Sequence, residues 1–108
     1  MKKIIPADPQ NVISVQKLRA ELQKESNLRG TFILAMKDME TGNPYIIFLN
    51  RDNKTLSGRC LVNSLNQDSS FSKFTASEFW EMTKSSLFSF YLLQSKEDLL
   101  EFIKLCVL

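Results

Sequence analysis

A β-strand with one face in water alternates apolar and polar side chains, because successive residues point to opposite faces. Three strand-like segments of this 108-residue chain break that alternation. In the segment 31–36, Phe32, Leu34 and Met36 share one face, and Ile33 and Ala35 take the other. In 45–49, Tyr45, Ile47 and Leu49 oppose Ile46 and Phe48. In 87–93, Leu87, Tyr91 and Leu93 oppose Phe88, Phe90 and Leu92. A sheet made of such strands needs cover on both sides. We expect the helices to be divided between the two faces. Were all of them on one side, the other would expose an apolar patch of several hundred Å², a usual mark of an interface.

The helices are announced by their caps. Asp8-Pro9 suits a helix start, with Asp as N-cap and Pro at the first position. Val12, Val15, Leu18 and Leu22 then recur at spacings of three and four, so the first helix is expected to run to Ser26–Asn27. Thr75 and Glu78 form a capping box, and Phe74 and Phe79 stand at the positions of a hydrophobic staple. A helix over 76–85 should bury Phe79 and Trp80. Ser95 and Asp98 repeat the capping pattern. The last helix, 96–107, should bury Leu99, Leu100, Phe102, Ile103, Cys106 and Val107.

Between these lie two short polar turns. Glu40-Thr-Gly-Asn-Pro44 and Asn50-Arg-Asp-Asn-Lys54 carry the residue types that turns require. They connect the two segments above to a third strand over 55–63, in which Leu56, Gly58, Cys60 and Val62 share a face. Residues 63–74 read as a long polar connection. The expectation is a single α+β domain spanning 1–108, in the order α-β-β-β-α-β-α. Its sheet is four-stranded and mainly antiparallel, packed with three helices. The helical connection into the last strand leaves a mixed sheet open.

Composition narrows the chemistry. The chain has no histidine, the side chain that most often serves general acid–base catalysis near neutrality. No G-x-S-x-G elbow marks a nucleophilic serine. Cys60 and Cys106 lack a histidine to activate them, and two cysteines without histidine make a poor zinc set. Three glycines leave no phosphate-cradling loop. The Asp52-Asn53-Lys54 triplet superficially resembles a nuclease metal element, but turn geometry accounts for those residues better. No catalytic residue, metal ligand or cofactor site is therefore expected. The opening Met1-Lys-Lys-Ile-Ile-Pro6 is too short in apolar residues for a signal peptide, and no stretch reaches a membrane span. A cytoplasmic protein with reduced thiols and no membrane partner is the expectation.

What remains is binding. Fourteen basic against 12 acidic side chains give a net charge of +2. This is weak for a protein that holds nucleic acid through phosphates. We expect a small non-enzymatic protein-binding module, of the kind an inhibitor, immunity protein, adaptor or assembly subunit represents. Its partner is another protein, or a second copy in a homodimer. The candidate contacts are Arg51, Lys54 and Arg59, then Phe71 and Lys73 in the 63–74 connection, and Trp80 as an aromatic anchor. The alternative is a nucleic-acid-binding accessory domain using Arg51, Lys54 and Arg59.

Overall fold

Two side-chain-braced turns fold the middle of the chain into a meander. At the first, Asp38 accepts the N–H groups of Glu40 and Thr41 at 2.8 and 3.2 Å, and Gly42 takes the left-handed conformation at φ 78°. At the second, Asp52 accepts from Lys54 and Thr55 at 2.8 and 3.0 Å, while Asn53 sits at φ 56°. Asn and Gly tolerate that region best. The computed structural model describes residues 1–26, 32–62 and 70–106, without the side chains of 70–72.

These turns connect β2 (Ile33–Asp38), β3 (Pro44–Leu49) and β4 (Leu56–Cys60), which follow β1 (Lys2–Lys3) and α1 (Val15–Ser26). After them come β5 (Ser70–Phe74), α2 (Ala76–Lys84), β6 (Phe88–Leu93) and α3 (Lys96–Leu105). The sheet runs β1-β6-β2-β3-β4-β5, and every pairing in it is antiparallel.

The α+β class and three helices match the expectation, but the sheet has six strands rather than four. Both additions lack an alternating apolar signature. β1 is two lysines, paired with Leu92 and Tyr91 of β6. β5 occupies the last part of the polar connection and carries a bulge. Leu56 pairs with Phe74, yet its neighbour Ser57 pairs with Ser72, and the extra residue, Lys73, adopts φ 67°. An inserted residue of this kind breaks the two-residue period by which a strand is recognised. The antiparallel pairing of β6 with both neighbours also closes the mixed-sheet option.

The first helix is shorter than its periodicity suggests. Asp8 does cap a helical turn, accepting from Gln10 N–H at 3.0 Å, but that turn is 3-10 and ends at Asn11. Ser14 then starts α1, its hydroxyl accepting from Lys17 N–H at 3.2 Å. A second capping residue five positions after Pro9 overrides the continuous apolar stripe. The two later caps form as expected. Thr75 and Glu78 exchange both bonds of the capping box, and Ser95 accepts from Asp98 N–H. Phe74 and Phe79 are buried in one cluster, as a staple requires.

The doubly apolar strands separate two cores. On the inner face, Leu34, Met36, Ile47, Leu56, Phe90 and Leu92 meet Val15, Leu18 and Leu22 of α1, and Phe79 and Trp80 of α2. Phe79 is the hinge of this core, edge-on to Trp80 at 5.1 Å and to Phe90 at 4.8 Å. On the outer face, Ala35 and Leu93 meet Phe102 and Cys106 of α3, with Ile46, Tyr91 and Leu99 at the margin. The helices are thus divided between the faces. Leu100, expected inside, is 52% exposed. The sheet-facing stripe of α3 is narrower than the run of apolar residues that carries it.

These placements rank substitutions in α2 and α3. Phe102→Ala should cost roughly 3–5 kcal/mol through the cavity it leaves, and Thr75→Ala about 1 kcal/mol through the lost cap. Leu100→Ala should stay within about 0.5 kcal/mol, as exposed positions do. Urea denaturation of the three variants checks the order.

Candidate functional site

α3 lies over one half of the outer face and is tied at both ends. At its start, Asp98 accepts the Gln94 backbone N–H at 2.8 Å and pairs with the Met1 amine at 3.0 Å. At its end, the Lys37 ammonium donates to the Leu105 carbonyl. The Asp98 side of the helix therefore faces the β1 edge of the sheet. Leu100 lies about 200° further round at ~100° per residue, on the flank away from that edge.

Beyond α3 the same face continues over β3 and β4. Register places Phe48 opposite Ser57 and Ile46 opposite Arg59. One step past the β2–β3 ladder, Ile33 falls across from Phe48. Leu61 extends the face at the far end, its N–H donating to the Pro44 carbonyl at 2.9 Å. Ile33, Phe48 and Leu61 are 38%, 44% and 45% exposed. Arg59 is exposed between Phe48 and Leu61 and has no ion pair among the described residues. The result is an apolar surface around one cation, bordered by the outer flank of α3.

The candidate residues do not gather at one place. Arg51 and Lys54 occupy the β3–β4 turn, where both are exposed. Arg59 sits five residues along from Lys54, roughly 16 Å at strand rise. Lys73 is exposed at the bulge of the β5 edge. Phe71 pairs with Gly58 through its backbone, and its side chain lies outside the described residues, as do positions 63–69 of the connection. Trp80 is buried in the inner core at 3% exposure and so presents no aromatic anchor at the surface. Phe48, Ile33 and Leu61 carry the exposed surface instead. The signal for Ile33 and Phe48 was the second apolar face of their strands, of which α3 covers only a part, whereas Leu61 stands alone among polar residues on its face.

The chemistry of the described residues is that of a braced scaffold. Three hydrogen bonds from Lys54 and Thr55 hold the Asp52 carboxyl below its ordinary range. Burial raises the Cys106 thiol, against the opposing pull of Lys37. Burial chiefly, then the charges of Cys60 and Asp38, raises Tyr45, against a hydrogen bond from Asn43. Neither shift favours a nucleophile. Register sets Cys60 beside Tyr45 on the inner face, while Cys106 packs on the outer, and both thiols are free. Among the described residues no group of three or more acidic or cysteine side chains is placed to hold a metal, and no helix is long and apolar enough to cross a membrane. An open cleft of about 270 Å³ runs between α1 and the sheet, walled by Leu18, Leu22, Phe32, Leu34 and Leu49, with Arg19 and Gln23 also lining it.

The Gln94 N–H chiefly, with the Met1 amine, holds the Asp98 carboxyl below its ordinary range. A carboxyl depressed in the folded state stabilises fully above its unfolded pKa of about 3.9 and loses that contribution as pH falls through the lower folded value. Acid titration of folding should therefore show less loss over that window in Asp98→Asn than in the parent. Compared with family models, curated proteins and solved structures, the chain matches none of them.

Proposed function

We propose that the chain is a non-enzymatic protein-binding module that docks through the outer face of β2, β3 and β4 beside α3. The observation that carries this reading is the incomplete cover of a doubly apolar sheet. α3 buries Ala35 and Leu93, packs against a partly buried Tyr91, and leaves Ile33, Phe48 and Leu61 exposed. Exposed apolar side chains grouped on one face of a small domain mark interaction sites more often than chance exposure does. Arg59 at the centre gives the surface a charge preference. Its partner is a protein presenting apolar side chains around a carboxylate, for which an arginine fork is well suited.

The spread of Arg51, Lys54 and Arg59 along one hairpin favours a protein partner over a nucleic acid. Phosphate binding draws on concentrated positive charge, and these three cations lie strung out along the hairpin rather than gathered at one place. An inhibitor, immunity protein, adaptor or assembly subunit each fits a small rigid domain of this kind.

Affinity capture from host lysate, run in parallel with Phe48→Asp and Arg59→Glu, tests the surface. A protein retained by the parent chain and released by both variants is the expected result, with the melting temperature of Arg59→Glu unchanged because that side chain is exposed, and circular dichroism checking that Phe48→Asp stays folded. Light scattering separates the homodimer form, which the same two substitutions should convert to monomer. Retention indifferent to both substitutions, or a monomer that retains nothing, removes the reading.

A further inference from the structure

α1 does not seal the inner face of the sheet. It buries Val15, Leu18, Leu22 and Ser26, while Phe32 and Leu49 beside it stay only half-buried against the core. The open cleft of about 270 Å³ runs between them, with the paired strand residues Leu34, Ile47 and Leu56 also lining it. Arg19 is the only charged residue among the described residues of that lining. It is exposed and has no ion pair among the described residues. The helix explains why. The residues three and four positions from Arg19 are Val15, Gln16, Leu22 and Gln23, and none is a carboxylate. The acidic residues of α1 are engaged elsewhere, Glu21 with Lys24 at 3.3 Å and Glu25 with Lys2 at 2.8 Å. Gln23, one turn on from Arg19, lines the same cleft and is half-buried.

We propose that this cleft binds an aliphatic monocarboxylate of about eight carbons, its chain against the apolar lining and its head at Arg19. The chain length follows from the volume, which equals that of about nine waters at ~30 Å³ each, and a methylene group is close to a water in size. The sign of the head follows from the charges. A guanidinium without a partner takes a carboxylate through two parallel N–H donors, and Gln23 can add an amide N–H to the same oxygens. A cationic head would meet Arg19 with no carboxylate in the described lining to offset it. Because Arg19 is exposed, the head stays hydrated and the buried chain supplies most of the affinity. The cleft lies on the α1 side of the sheet, opposite α3, so the inference does not rest on the protein-docking reading.

Octanoate, octylammonium and butanoate, each below its micellar concentration, serve as probes, followed by two-dimensional NMR of the nitrogen-labelled chain. Octanoate should shift the backbone amides of Arg19, Gln23, Leu34 and Leu49 in a saturable way. Octylammonium should bind about fivefold more weakly, on the scale of one exposed ion pair. Butanoate should bind at least roughly tenfold more weakly, because four methylenes are lost from the apolar contact. Arg19→Gln removes the charge at an exposed position, so the fold is not at risk. It should weaken octanoate about fivefold and leave octylammonium no weaker. Leu49→Trp fills the cleft and should abolish the octanoate shifts; if that variant does not fold, Arg19→Gln still decides. No saturable shift, shifts centred on other residues, octylammonium as tight as octanoate, butanoate as tight as octanoate, octanoate binding untouched by Arg19→Gln, or binding that persists in a folded Leu49→Trp overturns the proposal.

Discussion

Strand β2 is buried on both faces at once, and the rest of the molecule is arranged around that fact. Its Leu34 and Met36 enter the inner core, and its Ala35, with no measurable exposure, enters the outer one. Six consecutive residues pair with β6 on one side, and four with β3 on the other. With both faces packed over Leu34, Ala35 and Met36, the strand has little tolerance for register slip, since a shift of one residue would exchange the contents of two cores. The small side chain of Ala35 is part of the same constraint. It leaves room on the outer face for Phe102, which packs 5.8 Å from Tyr91. α1, α2 and α3 are then placed by the strands they have to cover.

The elements with strong local chemistry were legible in the sequence, and those defined by long-range pairing were not. Thr75 with Glu78 and Ser95 with Asp98 state their helix starts within four residues, and Asp38, Gly42, Asp52 and Asn53 state their turns. β1 consists of two lysines whose strand character exists only through Leu92 and Tyr91, some ninety residues away. β5 is disguised by Lys73, because the bulge puts three residues where two are expected. The 3-10 break before α1 shows a different limit. An apolar period of three to four continues across Val12 and Val15, but the backbone follows Ser14, whose hydroxyl satisfies the new helix start.

The surface was legible in outline and misassigned in detail. The second apolar face of the early strands was visible as an excess of hydrophobic residues, and it is the origin of the exposed Phe48 and Ile33. How much of it a helix would cover depended on where α3 lands, which sequence periodicity does not carry. Trp80 carried two readings, burial with Phe79 and an exposed anchor; the edge-on contact with Phe79 and 3% exposure go with the first and leave no room for the second.

The strand order has a consequence for how the chain is made. β2 leaves the ribosome early, but its neighbour β6 begins fifty residues after the end of β2, and β1 waits for the same strand. A nascent chain can form the β2–β3–β4 meander from local turns alone, with β2 still an open edge. Until β6 emerges and inserts between β1 and β2, neither core can close. Pairings of such sequence separation are slow to form and leave sticky edges in the interim. The facing edges of β1 and β2 therefore stay open to wrong pairing until β6 takes its place between them.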